Sequence, residues 1–239
     1  MAGSEYRILT SSERQDLESR ILYEDNHLLV VNKAAGEISQ GDKTGDETLA
    51  DKYKALIAER DSKPGKVFLG IPHRLDRPVS GAIILAKTSK ALERLSAMFR
   101  EGEVHKTYWA LCCGLPPEKE AELDDWLVRN EKINKSFVAK EGVPGAKLAR
   151  LTYRLLQTTR SYALLEVNLL TGRHHQIRCQ LAHAGCHIKG DLKYGAPRSN
   201  PDGGICLHAR RITFVHPVKK TPLDIYAPVP SSWKGITTA

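Results

Sequence analysis

The chain has 239 residues, of which 41% are hydrophobic and 27% charged, a composition typical of a soluble globular protein with one substantial core. Its longest apolar run, "AIILA" at 82–86, is far shorter than the roughly 20 residues needed to cross a bilayer. We therefore expect no membrane segment, and the acidic N-terminus, which lacks the apolar stretch of a secretory signal, predicts a cytoplasmic location.

The formal net charge of +8 is unevenly distributed along the chain. Residues 1–60 carry 8 Lys and Arg against 12 Asp and Glu, whereas residues 129–160 carry 8 against 2 and residues 172–220 carry 9 against 2. Diffuse positive charge is often only a solvated surface. Two strongly basic segments nevertheless favour a polyanionic partner, most simply a nucleic acid.

Hydrophobic spacing predicts the elements of the first half in chain order. Residues 1–20 form a polar lead-in that can hold a helix at 11–20, and "ILYEDNHLLVVNK" (21–33) predicts two short strands around a turn. Gly-rich and Asp-rich loops are expected at 33–47 and 60–66. Between them, apolar residues recur at helical spacing after the capping pair Thr48 and Asp51.

The later elements are mostly predicted strands. "GAIILAK" (81–87) is a buried strand, and an apolar stripe then predicts a helix from about Thr88 to Gly102. Strands are expected at 106–114, at 151–155 and 165–169 as a hairpin, and in the tail. Hairpin strands with a few helices predict an α+β fold: a single domain over 21–239 with a long, mostly antiparallel mixed sheet flanked by helices and loops.

A cluster of sulfur and imidazole side chains raises the question of a metal. Cys179, His183, Cys186 and His187 fall within nine residues, among five cysteines in total. Their spacing matches none of the usual zinc patterns, and a helix would point them in several directions. We predict free thiols and no metal site.

The stretch "HRLDRPVSG" (73–81) places one acid, Asp76, between Arg74 and Arg77. Neighbouring cations favour the ionised form of a carboxylate, which suits a nucleophile or a charge stabiliser better than a general acid. The alternative is a salt-bridged turn with no chemical role.

The stretch "TGRHHQIR" (171–178) is predicted to open a helix, with Thr171 as N-cap and Arg173, His174 and His175 in the first turn. Cations at a helix N-terminus oppose the helix dipole, so they need an anion such as a phosphate or the Asp76 carboxylate. Arg178 lies one turn further on and can reach the same side.

The stretch "HKTYW" (105–109) places Tyr108 in the middle of a predicted strand with Lys106 on the same face. A tyrosine on a strand is commonly a half-buried core residue. Its ring can equally stack on a base, as aromatic side chains do in the recognition of single-stranded RNA.

Together these motifs give a specific resemblance. "HRLDRPVSG", "KTYWALCCG" and "TGRHHQIRCQLAHAGCHIKGDLKYG", in this order after "ILYEDNHLLVVNK", resemble the RluA-like family of RNA pseudouridine synthases over about residues 21–226. Val79 and His174 stand where threonine is common, and Cys179-Gln180 where Val-His is common. About twenty residues precede the first matching segment, so we expect a stand-alone catalytic domain without an S4 domain.

The resemblance implies that Asp76 is the catalytic carboxylate, Tyr108 the active-site tyrosine and Arg178 the basic partner of Asp76. It implies a catalytic cleft across the sheet and an Arg74 that can enter the RNA stack vacated by a flipped uridine. Tyr108 is a candidate for stacking on uracil and for handling the C5 proton. The side chains expected to bind RNA are His73, Arg74, Arg77, Lys106, Arg173, His175, Gln176 and Ile177.

The implied reaction breaks the glycosidic bond of a uridine, turns the uracil and rejoins it through C5, so no cofactor is expected. Asp76 could bond to C1′, add to C6 or abstract a sugar proton. The substrate is expected to be ribosomal or transfer RNA, bound by a monomer that needs no protein partner. The alternatives are a catalytically idle RNA-binding module and a glycosidase, which normally needs two carboxylates; the convergence of Asp76, Tyr108 and Arg178 in one pocket would distinguish them.

Overall fold

Capping side chains define the starts of the first two helices. The structure, a computed structural model, describes residues 6–41, 45–62 and 65–233; the rest of the two predicted loops (42–44 and 63–64) and of the two chain ends lies outside these ranges. Helix α1 (Ser11–Ser19) begins after Thr10 and α2 (Leu49–Arg60) after Thr48, each with a complete capping box. Both predicted helices are confirmed.

The segment predicted as a lead-in packs against the rest of the fold. Leu17 of α1 is buried, and its carbonyl accepts a hydrogen bond of 3.0 Å from the hydroxyl of Tyr53 in α2. Helix α1 therefore covers part of the same core as α2 instead of extending into solvent.

One sheet organises the described residues. Its eleven strands are β1 (Ile21–Glu24), β2 (Leu28–Lys33), β3 (Ser80–Ala86), β4 (His105–Cys113), β5 (Glu120–Asn130), β6 (Lys135–Ala139), β7 (Lys147–Thr158), β8 (Tyr162–Leu169), β9 (His187–Ile188), β10 (Leu207–Val215) and β11 (Pro222–Tyr226). The order across the sheet is β1-β2-β3-β10-β4-β8-β7-β5-β6, with β11 along β10 and β9 along β4. The pairs are antiparallel except β3 with β10, which confirms the mostly antiparallel mixed sheet and the α+β class.

Helices cover both faces of the β2–β3 end of the sheet. Helix α2 packs against Val31 and Ile83 on one face, and α3 (Ser89–Glu101) packs against Val30 and Ile84 on the other. Because β3 is buried on both faces, its sequence is a continuous apolar run instead of an alternating one. Gly102 ends α3 with a φ of +79°, as its position predicts.

The parallel contact between β3 and β10 is short and tight. It consists of two residue pairs, Ser80 with His208 and Gly81 with Ala209. Gly81 has a φ of +117°, and a Cβ there would lie 2.4 Å from backbone atoms of Ala209, so only glycine fits. The buried hydroxyl of Ser80 lies 2.8 Å from Nδ1 of His208, which joins the two strands again through their side chains.

Helix α4 (Gln176–His183) starts later than the sequence predicts. Its N-cap position is occupied by His175, in the left-handed conformation with a φ of +53°, and not by Thr171. The Thr171 hydroxyl instead donates to Oε1 of Gln176 at 2.8 Å and accepts from the backbone N–H of Arg150. Arg173 and His174 therefore belong to the preceding loop. The predicted C-terminal Gly185 is confirmed directly after the C-cap, with a φ of +82°.

A 3₁₀ helix, Leu192–Tyr194, follows α4 and β9 and lies against the loop that precedes α4 through Tyr194. None of the helices among the described residues is both long enough and apolar enough to span a membrane.

Candidate active site

A cavity of about 150 Å³ opens where the ends of four neighbouring strands meet. Val79 precedes β3, Leu207 begins β10, Tyr108 lies in β4 and Leu169 ends β8, and all four line the cavity. Asp76 stands at its mouth with its side chain 31% exposed, and among the described residues that line the cavity it is the one carboxylate. The cleft thus lies across the middle of the sheet.

The backbone around Asp76 is held from several sides. The carbonyl of Asp76 accepts from the N–H of Val79 at 3.0 Å, and Leu75 exchanges two hydrogen bonds with the hydroxyl of Ser39. The fully buried ammonium of Lys33 donates to the carbonyl of Arg77 at 3.2 Å. Burial lowers the pKa of Lys33 to about 8, and the charges of Glu37 and Asp76 partly oppose this shift.

Arg178 of α4 joins the Asp76 carboxylate to a second, buried acid. Its Nε and Nη2 donate to the two oxygens of Asp191 at 2.7 and 2.8 Å, and its Nη1 donates to Asp76 Oδ2 at 3.2 Å. Asp191 is 1% exposed and Arg178 is 5% exposed. Because Asp191 fixes the plane of the guanidinium, Arg178 presents one edge to Asp76 in a defined orientation.

His175 accepts the second hydrogen of Arg178 Nη1. Its Nδ1 lies 3.0 Å from the hydroxyl of Tyr194, and its Nε2 lies 3.0 Å from Arg178 Nη1 and 3.4 Å from Asp76 Oδ2. The Tyr194 hydroxyl donates to the carbonyl of Ser136, so the hydrogen between Tyr194 and His175 belongs on Nδ1. Nε2 is then an acceptor, and Arg178 Nη1 donates one hydrogen to His175 and the other to Asp76.

Tyr108 and Lys106 face the cavity from the same side of β4, as the strand alternation predicts. Tyr108 is buried, and burial together with the negative charge of Asp76 raises the pKa of its phenol. The phenol is therefore protonated at neutral pH. The cavity thus combines an aromatic wall with one carboxylate, and an oriented cation faces that carboxylate.

Asp76, Tyr108 and Arg178 line the same cavity, which is the arrangement that distinguishes an enzyme from an idle binding module. The sequence profile of the family described as "RNA pseudouridylate synthase" matches residues 27–183. The chain belongs to this family. It is therefore an RNA pseudouridine synthase, an isomerase that converts uridine in RNA to pseudouridine.

Similar proteins agree with this membership over nearly the whole chain. "Ribosomal large subunit pseudouridine synthase C" of Vibrio cholerae is 34% identical over 224 residues, which are 91% of this chain and 68% of that protein. "Ribosomal large subunit pseudouridine synthase D" of Xylella fastidiosa is 32% identical over 93% of this chain and 70% of its own length. The solved structure of human RNA pseudouridylate synthase domain containing 4 superimposes with a TM-score of 0.77 at 25% identity and covers 92% of each chain.

Most side chains that the sequence assigned to RNA binding in this synthase lie at the cavity. Arg74, Lys106, Arg173, His175, Gln176 and Ile177 all line it. Their surroundings differ, since Arg74 and Arg173 are exposed whereas Gln176 is buried. Gln176 bonds Thr171 and Arg173 of the loop before α4 and the carbonyl of Arg150 in β7. Gln176 thus shapes the loop before α4 more than it offers a free polar group to a ligand.

Two of the assigned residues do not face the cavity. Nε2 of His73 accepts from the N–H of Ile84 at 3.0 Å, and its ring stacks on Phe99 at 4.3 Å. Arg77 turns away from Asp76, donates to the carbonyl of Gly36 and pairs with Asp46 at 2.9 Å. The expectation that Arg77 flanks the Asp76 carboxylate is therefore wrong, and Arg178 supplies that charge.

Three residues of the network were not assigned from the sequence: Asp191, Tyr194 and Ser136. They lie 13 to 58 residues from the groups that they bond, so no local pattern links them. A usable signal was "KGDLKYG", in which an acid and a tyrosine stand between Gly190 and Gly195. These two glycines adopt φ values of +88° and +91°.

The cysteine and histidine group at 179–187 does not converge. Cys179 contacts the carbonyl of Ser136, Cys186 lies in the core, and His187 Nδ1 contacts the carbonyl of Tyr194. Across the described parts of the chain, no set of three or more His, Cys, Asp and Glu side chains is placed to bind a metal ion.

Replacing His175 with asparagine should change how stability depends on pH. Burial, followed by the charge of Arg178, lowers the pKa of His175 from 6.5 to about 2. Below pH 6.5 the His175 imidazole is therefore protonated in the unfolded chain but stays neutral in the folded protein. This difference lowers the free energy of unfolding as the pH falls. At pH 5 this amounts to about 2 kcal/mol at most, from 1.36 kcal/mol per pKa unit.

Asparagine tolerates the left-handed backbone at this position but does not titrate. The His175→Asn protein should therefore not show the decrease in stability that His175 causes at low pH. Urea unfolding between pH 5 and 8 measures it, and the free-energy difference between wild type and variant should shrink towards pH 5. The buried His208 and His216 bond to Ser80 and Asp25, away from His175, so their contributions are the same in both proteins and cancel. Parallel curves for the two proteins over this range would contradict the assignment.

Proposed function

We propose that this synthase modifies specific uridines of large-subunit ribosomal RNA and that Asp76 is its catalytic carboxylate. The observation that carries the proposal is the position of Asp76, bonded to Arg178 at the mouth of a cavity walled by Tyr108. The choice of RNA is supported by the two bacterial relatives, both named for the large ribosomal subunit. Transfer RNA is the alternative substrate.

In this proposal the target uridine leaves its stack and places its base in the cavity, because its reacting atoms cannot be reached inside a helix. The aromatic face of Tyr108 and the apolar side chain of Ile177 pack against the uracil. Asp76 then faces the sugar and the near edge of the base. Arg178, oriented by Asp191, donates to Oδ2 of Asp76 without occupying its second oxygen.

The protonated phenol of Tyr108 supports one of its two candidate roles over the other. A base that takes up the C5 proton must first be deprotonated, and both burial and the Asp76 charge oppose that state. We therefore propose that Tyr108 stacks on the uracil and donates a hydrogen bond during rearrangement. Arg74 is exposed at the cavity mouth, which suits a side chain that fills the gap left by the extruded base.

Mapping of pseudouridine across the transcriptome of a deletion strain tests both the activity and the substrate. One or a few uridines of large-subunit ribosomal RNA should lose the modification and regain it with the wild-type gene but not with Asp76→Asn. Loss confined to transfer RNA would support the alternative substrate. An unchanged map would contradict the proposal.

The oligomeric state and the compartment are proposed on the sequence alone. A monomer in the cytoplasm without a protein partner follows from the expectations above. Light scattering coupled to size-exclusion chromatography, and fractionation of cells that express the tagged protein, test these two points.

A further inference from the structure

A second recess opens on the other side of Asp76. It is a groove of about 420 Å³ that shares Arg74, Asp76, His175 and Arg178 with the cavity, so the carboxylate lies at the junction of the two. The cavity has apolar walls from Val79, Leu169, Ile177 and Leu207. The groove instead is lined by the additional cations Arg77, Arg129 and Lys193.

Asn134 organises one wall of this groove. It lies in the turn between β5 and β6 in the left-handed conformation, with a φ of +47°. Its Oδ1 accepts from Nη2 of Arg129 at 3.2 Å and lies 3.1 Å from Nε2 of His174, while its carbonyl accepts from Nζ of Lys193 at 3.2 Å. One residue thus gathers three nitrogen-bearing side chains from β5, the loop before α4 and the 3₁₀ helix.

The charges of these cations are only partly compensated. Arg129 and Lys193 are exposed, and the contacts of Lys193 are to the neutral carbonyls of Ile133 and Asn134. The carboxylate of the exposed Glu131 lies 4.0 Å from Arg129. Asp76 is the one acid among the described residues that line the groove, and its Oδ2 accepts from Arg178. Beyond the Arg77–Asp46 and Arg178–Asp76 pairs, the described residues of the groove therefore offer a positive surface at Arg129 and Lys193.

We propose that this groove binds the phosphates of the RNA strand beside the target uridine, with Arg129 and Lys193, held by Asn134, as the phosphate contacts. The proposal rests on the proposed function, since it takes the cavity as the site of the flipped base. A nucleotide whose base lies in the cavity and whose sugar faces Asp76 must leave its flanking phosphates outside the cavity. The groove begins at Asp76 and carries the positive charge that phosphate requires.

Removal of the two cations should weaken RNA binding without slowing the chemical step. The test variant is Arg129→Gln with Lys193→Gln, and the probe is a fluorescein-labelled fragment of large-subunit ribosomal RNA transcribed without modifications. We expect the Kd at low salt to rise about tenfold or more and the slope of log affinity against log salt to become shallower by about 1.4, or 0.7 for each lost contact to a single strand. The single-turnover rate of tritium release at saturating protein should stay within about twofold.

Two matched variants keep the test specific. Lys119→Gln with Arg160→Gln removes one exposed lysine and one exposed arginine at the far end of the β7–β8 hairpin, and it should leave the Kd and the salt slope unchanged. Arg129→Lys with Lys193→Arg exchanges the two cations and should restore most of the affinity, because phosphate binding depends mainly on charge. Thermal unfolding of all variants controls for folding.

An unchanged Kd and salt slope in the Gln variant would overturn the proposal, as would a slower rate at saturation with unchanged affinity. The binding measurement does not require turnover. A wild-type protein that binds this RNA through Arg129 and Lys193 but releases no tritium from it would therefore contradict the proposed substrate and leave the groove assignment standing.

Discussion

Replacing Asp76 with asparagine is expected to abolish pseudouridine formation while the protein still folds and binds RNA. The substitution keeps the shape of the side chain but removes its charge and most of its nucleophilicity. Arg178 remains paired with Asp191, so the free energy of unfolding should fall by no more than about 1 kcal/mol. Release of tritium from C5-labelled uridine should fall about a thousandfold or more. RNA affinity should hold or increase, because one negative charge leaves a basic cleft.

Asp46→Asn is the matched control for this substitution. Asp46 pairs with Arg77 beside the same groove. Asp46→Asn therefore removes one negative charge there, as Asp76→Asn does, but leaves the residues of the cavity unchanged. It should retain wild-type turnover. Appreciable tritium release by a well-folded Asp76→Asn protein would refute the catalytic assignment and favour the salt-bridged turn.

Replacing Asp191 with asparagine should damage both the fold and the activity. An amide offers one acceptor and turns an N–H donor towards a guanidinium that itself only donates. Arg178, 5% exposed, would keep its charge without the buried partner that compensates it. Breaking one side of a buried ion pair costs about 3–5 kcal/mol, which for a chain of this size lowers the Tm by roughly 10 °C. Activity at a permissive temperature should also fall, because Arg178 loses its orientation towards Asp76.

The ion pair of Arg211 with Asp224 provides the comparison. It has the same two-bond geometry, with both distances 2.7 Å, but its side chains are 40% and 47% exposed. Asp224→Asn should therefore cost no more than about 1 kcal/mol and leave turnover unchanged. Equal losses of Tm in the two variants would show that burial of the Arg178–Asp191 pair has no special role.

The parts of the fold that sequence alone predicted are those whose signals are local. Helices α2 and α3 combine a capping residue with an apolar stripe, and β3 is one apolar run. Strands β5 and β6 were missed because one face of this hairpin is largely exposed and its sequence is rich in charge. These two strands are defined by their pairing with neighbouring strands, and the sequence of β5 alone does not predict that pairing.

In the candidate site too, residues in local motifs were predicted from the sequence, whereas residues that act through long-range contacts were not. Asp76, Tyr108 and Arg178 stand in motifs that resemble a known family, and the structure brings them to one cavity. The residues that orient them were not recognised, because Asp191 and Tyr194 act on Arg178 and His175 through contacts formed only after folding. The predicted N-cap at Thr171 failed for a related reason: its hydroxyl is used by Gln176 and Arg150, so the helix begins after His175.

The short parallel contact of β3 with β10 has a consequence for how the protein reaches its native state. It joins residues 128 positions apart through two residue pairs, and Asp76 lies on one side of this seam while Arg178, 102 positions away, lies on the other. The strands on each side of this contact can pair with neighbouring strands of their own side. The β3–β10 contact instead closes a long loop, at a cost in chain entropy, and forms few hydrogen bonds in return. We therefore expect it to form slowly and late in folding. Asp76 and Arg178 therefore meet only when the two sides have docked. A partly folded chain would carry most of the sheet and no activity, which makes turnover a stricter reporter of complete folding than circular dichroism.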